Sequence, residues 1–171
     1  MGEDYPMYKK YYYNYQRKSM SPDRIVPDCI SFYLLGLYPF PWEKDHRSLF
    51  DIMMYRGKIA WITEKVLGES DYGARILGYD KEQLAWCEKN KKSFIEWVEK
   101  SRHLESTDPM IIRAYIQPTP NKILKDEVPP MIGVWMGMQY INAYMKKNPD
   151  VTIEKLLEDT DYEGMLMDID I

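Results

Sequence analysis

The chain has 171 residues, 45% hydrophobic, 29% charged and 14% aromatic, with a formal net charge of −4 at pH 7. That length suits one domain with its own core, the apolar fraction is too high for disorder, and no apolar run approaches the ~20 residues that span a bilayer. With only two cysteines a disulfide scaffold is excluded as well, which leaves a globular domain.

Residues 1–20 are a tyrosine-dense lead-in, with Tyr5, Tyr8, Tyr11, Tyr12, Tyr13 and Tyr15 among Lys9, Lys10, Arg17 and Lys18. Aromatics interleaved with cations can stack bases. No nucleic-acid motif accompanies them, so the rings are expected to cover the body of the domain with their hydroxyls in water. The opening Met1-Gly2-Glu3-Asp4-Tyr5-Pro6 matches neither a secretory leader nor a myristoylation signal.

Ser21-Pro22 starts a helix, with Ser21 as cap and Pro22 in the first turn. Ile25, Val26, Cys29, Ile30, Tyr33, Leu34 and Leu37 recur at helical spacing up to Pro39 and Pro41, and the helix is expected to be largely buried. Asp45 or Ser48 opens a second helix, apolar over more than one face, that ends at Gly68; residues 68–79 read as a glycine-rich loop. Asp80 with Gln83 forms a capping box for an amphipathic third helix whose inner stripe is Leu84, Cys87, Phe94, Trp97 and Val98. Asp108-Pro109 starts a short helix that Gln117-Pro118 ends. A further helix runs from about Pro130 to Lys147, Thr152 caps a short one through Leu157, and a last turn covers Tyr162 to Met167. No stretch alternates with period two, so the fold class is mainly α, in one helix-rich domain over residues 1–171.

Charge is unevenly spread. Residues 1–18 carry +2, whereas residues 150–171 hold eight acidic side chains against Lys155. This acidic C-terminal segment reads as a solvated, fraying end, and the balance speaks against nucleic-acid binding. Cys29 and Cys87 both fall inside predicted helices, where cysteine behaves as a small buried hydrophobe; spacing alone does not show whether they are bonded to each other.

Candidate chemistry is sparse. Gly133 and Gly137 lie four residues apart in a predicted helix, on one face, where they let another backbone approach closely at a cost of about 1 kcal/mol each relative to Ala. Trp135, Met136, Met138, Tyr140 and Ile141 around them make this the expected central helix. The histidines, His46 and His103, have no ligand partner at helical spacing. Asp28 and Asp51 sit in helices among apolar neighbours and need partners, for which Arg56 and Lys58 are candidates. No Gly-x-Ser-x-Gly elbow is present.

Three sets of segments together resemble the gliding-motility lipoprotein B (GldB) family of Bacteroidetes. They are Gly2-Glu3-Asp4-Tyr5-Pro6-Met7-Tyr8 with Arg24-Ile25-Val26-Pro27-Asp28; Asp51-Ile52-Met53-Met54-Tyr55-Arg56-Gly57-Lys58-Ile59 with Gly78-Tyr79-Asp80-Lys81-Glu82-Gln83-Leu84-Ala85-Trp86; and Ser106-Thr107-Asp108-Pro109 with Pro130-Met131-Ile132-Gly133-Val134-Trp135-Met136-Gly137 and Tyr144-Met145. The resemblance implies that these residues form the C-terminal half of a longer family member with a lipid-attachment cysteine upstream. It also implies a layout similar to the helical part of zincin-type peptidases, whose metal is held by His-Glu-x-x-His. The corresponding windows, Val26-Pro27-Asp28-Cys29-Ile30-Ser31 and Tyr55-Arg56-Gly57-Lys58, contain no imidazole, so the implied protein is a pseudoenzyme with no cofactor and no metal.

What the resemblance then implies is a non-catalytic cell-envelope protein, facing the periplasm or associated with the outer membrane. It would contact envelope proteins of the motility machinery or the linked secretion machinery, and meet the membrane only through a lipid anchor. Asp28, Tyr55, Arg56 and Lys58 are the candidate residues of a degenerate pocket. The rival readings are a metal-dependent hydrolase using Asp28, Asp51 and His46, and a peptidoglycan- or polymer-binding module using the tyrosine segment.

Overall fold

Gly57 and Gly137 set the centre of the fold. In the computed structural model, which describes residues 4–42, 47–68, 74–119 and 122–169, helices α4 (Leu49–Val66) and α8 (Ile132–Lys147) cross backbone to backbone at these two positions. A Cβ on Gly57 would stand 2.3 Å from the Gly137 carbonyl carbon, and one on Gly137 would stand 2.2 Å from the Met53 carbonyl oxygen. Neither is possible for a real side chain, so glycine is required on both helices. Gly133, one turn before Gly137, faces α7 (Pro109–Ile116) instead, where a Cβ on it would stand 3.1 Å from the Tyr115 carbonyl oxygen.

The start of α4 is secured from two sides. The Ser48 hydroxyl accepts from the Asp51 N–H at 3.2 Å and the Asp51 carboxylate accepts from the Ser48 N–H at 3.0 Å, a reciprocal cap. The N–H groups of Leu49 and Phe50 donate to the carbonyls of Ser106 and Leu104 at 2.8 and 2.9 Å, so orphan donors of the first turn are paired. Ser48 is therefore the cap; Asp45 lies outside the described residues.

The other elements dress this pair. α6 (Lys81–Lys100) begins on the expected Asp80–Gln83 box and buries Cys87, Phe94 and Val98, but Trp97 stays 40% exposed rather than joining the inner stripe. Between Gly68 (φ 69°) and Gly78 (φ 70°) the chain is not all loop, because α5 (Ala74–Leu77) folds there. α8 starts at Ile132 rather than Pro130, behind Met131 in the left-handed region at φ 58°; a residue in that region cannot be part of a right-handed helix, so the helix begins on the next residue. The described residues are mainly helical and contain no strand, within one compact domain.

Three further sequence expectations are corrected. The lead-in folds as α1 (Pro6–Tyr11) and α2 (Asn14–Lys18), and its rings do not cover the domain: Tyr5, Tyr11, Tyr12 and Tyr13 are exposed, and Tyr8 packs edge-on against Tyr5 and Tyr12. The acidic segment does not fray. Up to Ile169, α9 (Ile153–Glu158) and α10 (Tyr162–Met167) are docked by Leu156, Leu157, Tyr162 and Met165, all buried, while Asp150, Glu154, Glu158, Asp161, Glu163 and Asp168 are exposed. Four apolar anchors outweigh the like-charge repulsion of exposed, screened carboxylates.

The third correction concerns α3 (Ile25–Leu37), which follows a 3-10 turn at Pro22–Arg24. Only Pro27 of this helix is buried, whereas Ile25, Val26, Phe32, Tyr33 and Leu37 are between 54% and 68% exposed. Apolar side chains cover two faces of α3. Leu34 and Leu35 pack against the core, and the face at 25/26, 29, 32/33 and 36/37 looks outward. Cys29 is on that outer face, exposed, while Cys87 is buried, and both thiols are free.

Candidate functional site

A cavity of about 220 Å³ opens between α3, α4 and α5. Its polar wall is Arg24, Asp28, Ser31 and Arg56, and its apolar wall includes Leu35, Ile59 and Met131. Periodicity explains how two helices supply it. Asp28, Ser31 and Leu35 recur at three- and four-residue spacing along α3, and Arg56, Ile59 and Ala60 do the same along α4.

Arg24 and Asp28 form one unit. The Arg24 guanidinium donates to the Asp28 carboxylate at 2.7 Å, one helical turn away, and also to the Ile76 carbonyl of α5. The pair ties the 3-10 turn, α3 and α5 together at the cavity mouth. Ser31 is also committed. The Thr63 hydroxyl donates to the Ile59 carbonyl at 2.8 Å, so in the 3.1 Å Ser31–Thr63 contact it is Ser31 that donates.

Arg56 differs. Among the described residues no hydrogen bond or ion pair reaches its guanidinium, although the side chain is mostly buried. Burial pushes its pKa below the ordinary arginine value, with the neighbouring Tyr55 acting the other way; arginine nonetheless stays cationic. With Arg24 balanced by Asp28, the cavity carries a net positive charge. Met131, in its left-handed conformation, completes the wall; a non-glycine residue held there is strained and persists because the packing around it over-determines it.

The sequence-derived residues divide by helical position. Asp28 and Arg56 line this one cavity. Tyr55 and Lys58 lie elsewhere on α4, since one step along a helix turns 100° and two steps turn 200°. The Tyr55 hydroxyl donates to the Tyr38 carbonyl at 2.8 Å, its ring meets Phe40 edge-on at 5.2 Å, and burial raises its pKa. Lys58 is 1% exposed and donates to the carbonyls of Leu157 and Asp159 at 3.1 and 2.7 Å, with its ammonium over the Tyr162 ring. It thus closes the C-terminal end of α9, where the helix dipole favours a cation. Asp28 takes a partner other than the ones expected from sequence. It pairs with Arg24, four residues before it, and Asp51 caps α4.

Among the rival metal ligands, Asp28 and Asp51 are in these separate roles and His46 lies outside the described residues. Within the described residues no group of three His, Cys, Asp or Glu side chains gathers. His103 bonds the Tyr115 hydroxyl at 2.8 Å through its ring nitrogen, and burial pushes the Cys87 thiol up to about 12. Arg24 and Ser31 were not visible as cavity residues in the sequence. The i,i+4 spacing of Arg24 and Asp28 was the available signal for the first.

The family model described as gliding motility protein GldB matches residues 1–168 of the chain. No curated protein matches, and no solved structure matches.

Proposed function

The chain belongs to the gliding motility protein GldB family, and from that premise we propose that it is a non-catalytic component of the cell envelope that works by protein contacts in gliding motility or the linked secretion machinery. The observation that carries the contact role is the outer face of α3, where Ile25, Val26, Phe32, Tyr33 and Leu37 form an exposed apolar stripe on a helix otherwise packed against the core. Contiguous apolar surface of this kind marks interaction sites. The adjoining cavity adds specificity. Its Arg56 guanidinium suits a carboxylate that a partner helix would bring with its apolar side.

The non-catalytic part rests on side-chain chemistry. Pro27, Ile30, Ser31 and Arg56 stand in the windows that the peptidase resemblance would use, and none of them replaces an imidazole ligand. Among the described residues no helix is long and apolar enough to cross a membrane. We assign membrane attachment to a lipid anchor carried outside these residues, in keeping with the lipoprotein resemblance.

The experiment replaces the native chain, in the bacterium that encodes it, by a Phe32→Asp, Tyr33→Asp variant and measures colony spreading. Both side chains are 68% exposed, so the variant keeps its helical circular dichroism, and spreading is expected to be lost. Normal spreading with the variant present at native level overturns the contact role of α3. A stoichiometric divalent metal in protein purified without chelator, together with a large thermal stabilisation by added zinc, overturns the non-catalytic part.

A further inference from the structure

A second cavity, of about 260 Å³, runs along α6 and shares no residue with the one at Arg56. Trp86, Asn90, Ser93 and Trp97 line it from the helix, and Lys125 and Glu127 face them from the segment before α8. The two indoles are eleven residues apart on α6, three turns and 20° from full register, so they stand on one side of the helix, with the Phe94 ring in contact with both.

The rings of this aromatic floor are in contact with one another without any ligand. Phe94 meets Trp86 edge-on at 5.8 Å and stacks on Trp97 at 5.7 Å. Trp97 meets His103 edge-on at 5.6 Å, and His103 is bonded in turn to the Tyr115 hydroxyl. Ordered rings reduce the entropy cost of binding.

The polar groups narrow the ligand. Asn90 spends one amide N–H on the Trp86 carbonyl at 2.8 Å, and Ser93 spends its hydroxyl proton on the Asn90 carbonyl at 3.1 Å; both offer oxygen acceptors to the cavity, and Asn90 keeps its second N–H. Lys125 adds a donor and Glu127 an acceptor. A quaternary ammonium would meet the Lys125 charge, and a phosphate or other polyanion would meet Glu127. A polyproline segment has no N–H to give to Ser93 and Glu127. A neutral polyhydroxylated ring suffers none of these penalties. Each of its hydroxyls both donates and accepts, and its C–H face lies against an indole.

We propose that this groove binds a neutral saccharide chain, with pyranose rings on Trp86 and Trp97 and their hydroxyls bonded to Asn90, Ser93, Lys125 and Glu127. The site is independent of the α3 contact role.

The test titrates the whole chain with N-acetylchitotetraose and, separately, with cellotetraose, following the indole N–H resonances of the tryptophans by NMR. The signals of Trp86 and Trp97 are expected to move while those of Trp61 and Trp135 stay in place. Trp97→Ala, at a partly exposed position that leaves the fold intact, should weaken binding about tenfold. Trp86→Phe keeps a ring at the other end and should weaken it less. A response to the acetylated sugar alone identifies an amino-sugar polymer, and a response to cellotetraose alone a plain hexose chain; either supports the site. No movement with either sugar at about 10 mM, or movement with decaproline but with neither sugar, overturns it.

Discussion

α8 and α3 both carry apolar side chains around most of their circumference, yet α8 is buried almost continuously from Ile132 to Ile141 while α3 buries only Pro27. The difference does not lie in hydrophobicity. α8 offers Gly137 to Gly57 of α4, so those two backbones meet and side chains on either side of the contact interlock, and its Gly133 admits the main chain of α7. α3 has a glycine too, but a Cβ on Gly36 would find nothing within 4 Å. An apolar pattern therefore says that a face needs covering, and the small-residue pattern says which helix covers it. On α3 the covering is left to something other than the described residues.

The largest effect is expected where the backbones touch. Gly137→Ala places a methyl group 2.2 Å from the Met53 carbonyl and 3.0 Å from the Gly57 Cα, atoms that cannot swing aside as a side chain could. Separating α4 from α8 should cost about 3 kcal/mol or more. Denaturant unfolding of the variant measures it. A loss below about 1 kcal/mol would mean that the crossing is looser than described and that α8 does not differ from α3 in this respect.

A middle-sized effect is expected at Lys58, which joins the central pair to the acidic C-terminal segment. Lys58→Met keeps the length of the stem and removes the donors to the Leu157 and Asp159 carbonyls. Hydrogen bonds from a charged donor contribute about 1.5–3 kcal/mol, so a loss of about 2 kcal/mol is expected, with amide exchange rising first in α9 and α10. Unchanged protection there would show that Leu156, Leu157, Tyr162 and Met165 hold the segment without the lysine.

The parts of the molecule legible from sequence are those governed by local chemistry. The Asp80–Gln83 box, the Thr152 cap, Asp108 before Pro109 and the end at Gly68 depend on a few adjacent residues, and they recur in the structure where spacing puts them. The close approach at Gly133 and Gly137 was legible for the same reason; the partners were not, neither the α7 main chain at Gly133 nor Gly57 at Gly137, because one glycine in a helix carries no spacing. The candidate site was half legible. Asp28 and Arg56 share a cavity, but Tyr55 and Lys58 were grouped with Arg56 by adjacency in the chain, and on a helix adjacency separates side chains. The direction in which α3 faces was not legible at all, since both of its sides are apolar and only the tertiary partner selects between them.

Gly36→Ala has the smallest expected effect and distinguishes the two helices by sign. Gly36 lies in the last turn of α3, has ordinary helical backbone and meets no atom where the new methyl group would go. Alanine loses less backbone entropy on folding than glycine, which in a helix interior is worth about 1 kcal/mol, and less near an end. The isolated chain should gain about 0.5 kcal/mol, opposite in sign to Gly137→Ala for the same chemical change. If a partner backbone settles into the notch beside Tyr33 and Leu37, the same variant will be more stable alone and weaker in colony spreading. A destabilised isolated chain would instead mean that the outer face of α3 is already covered, and the contrast with α8 would disappear.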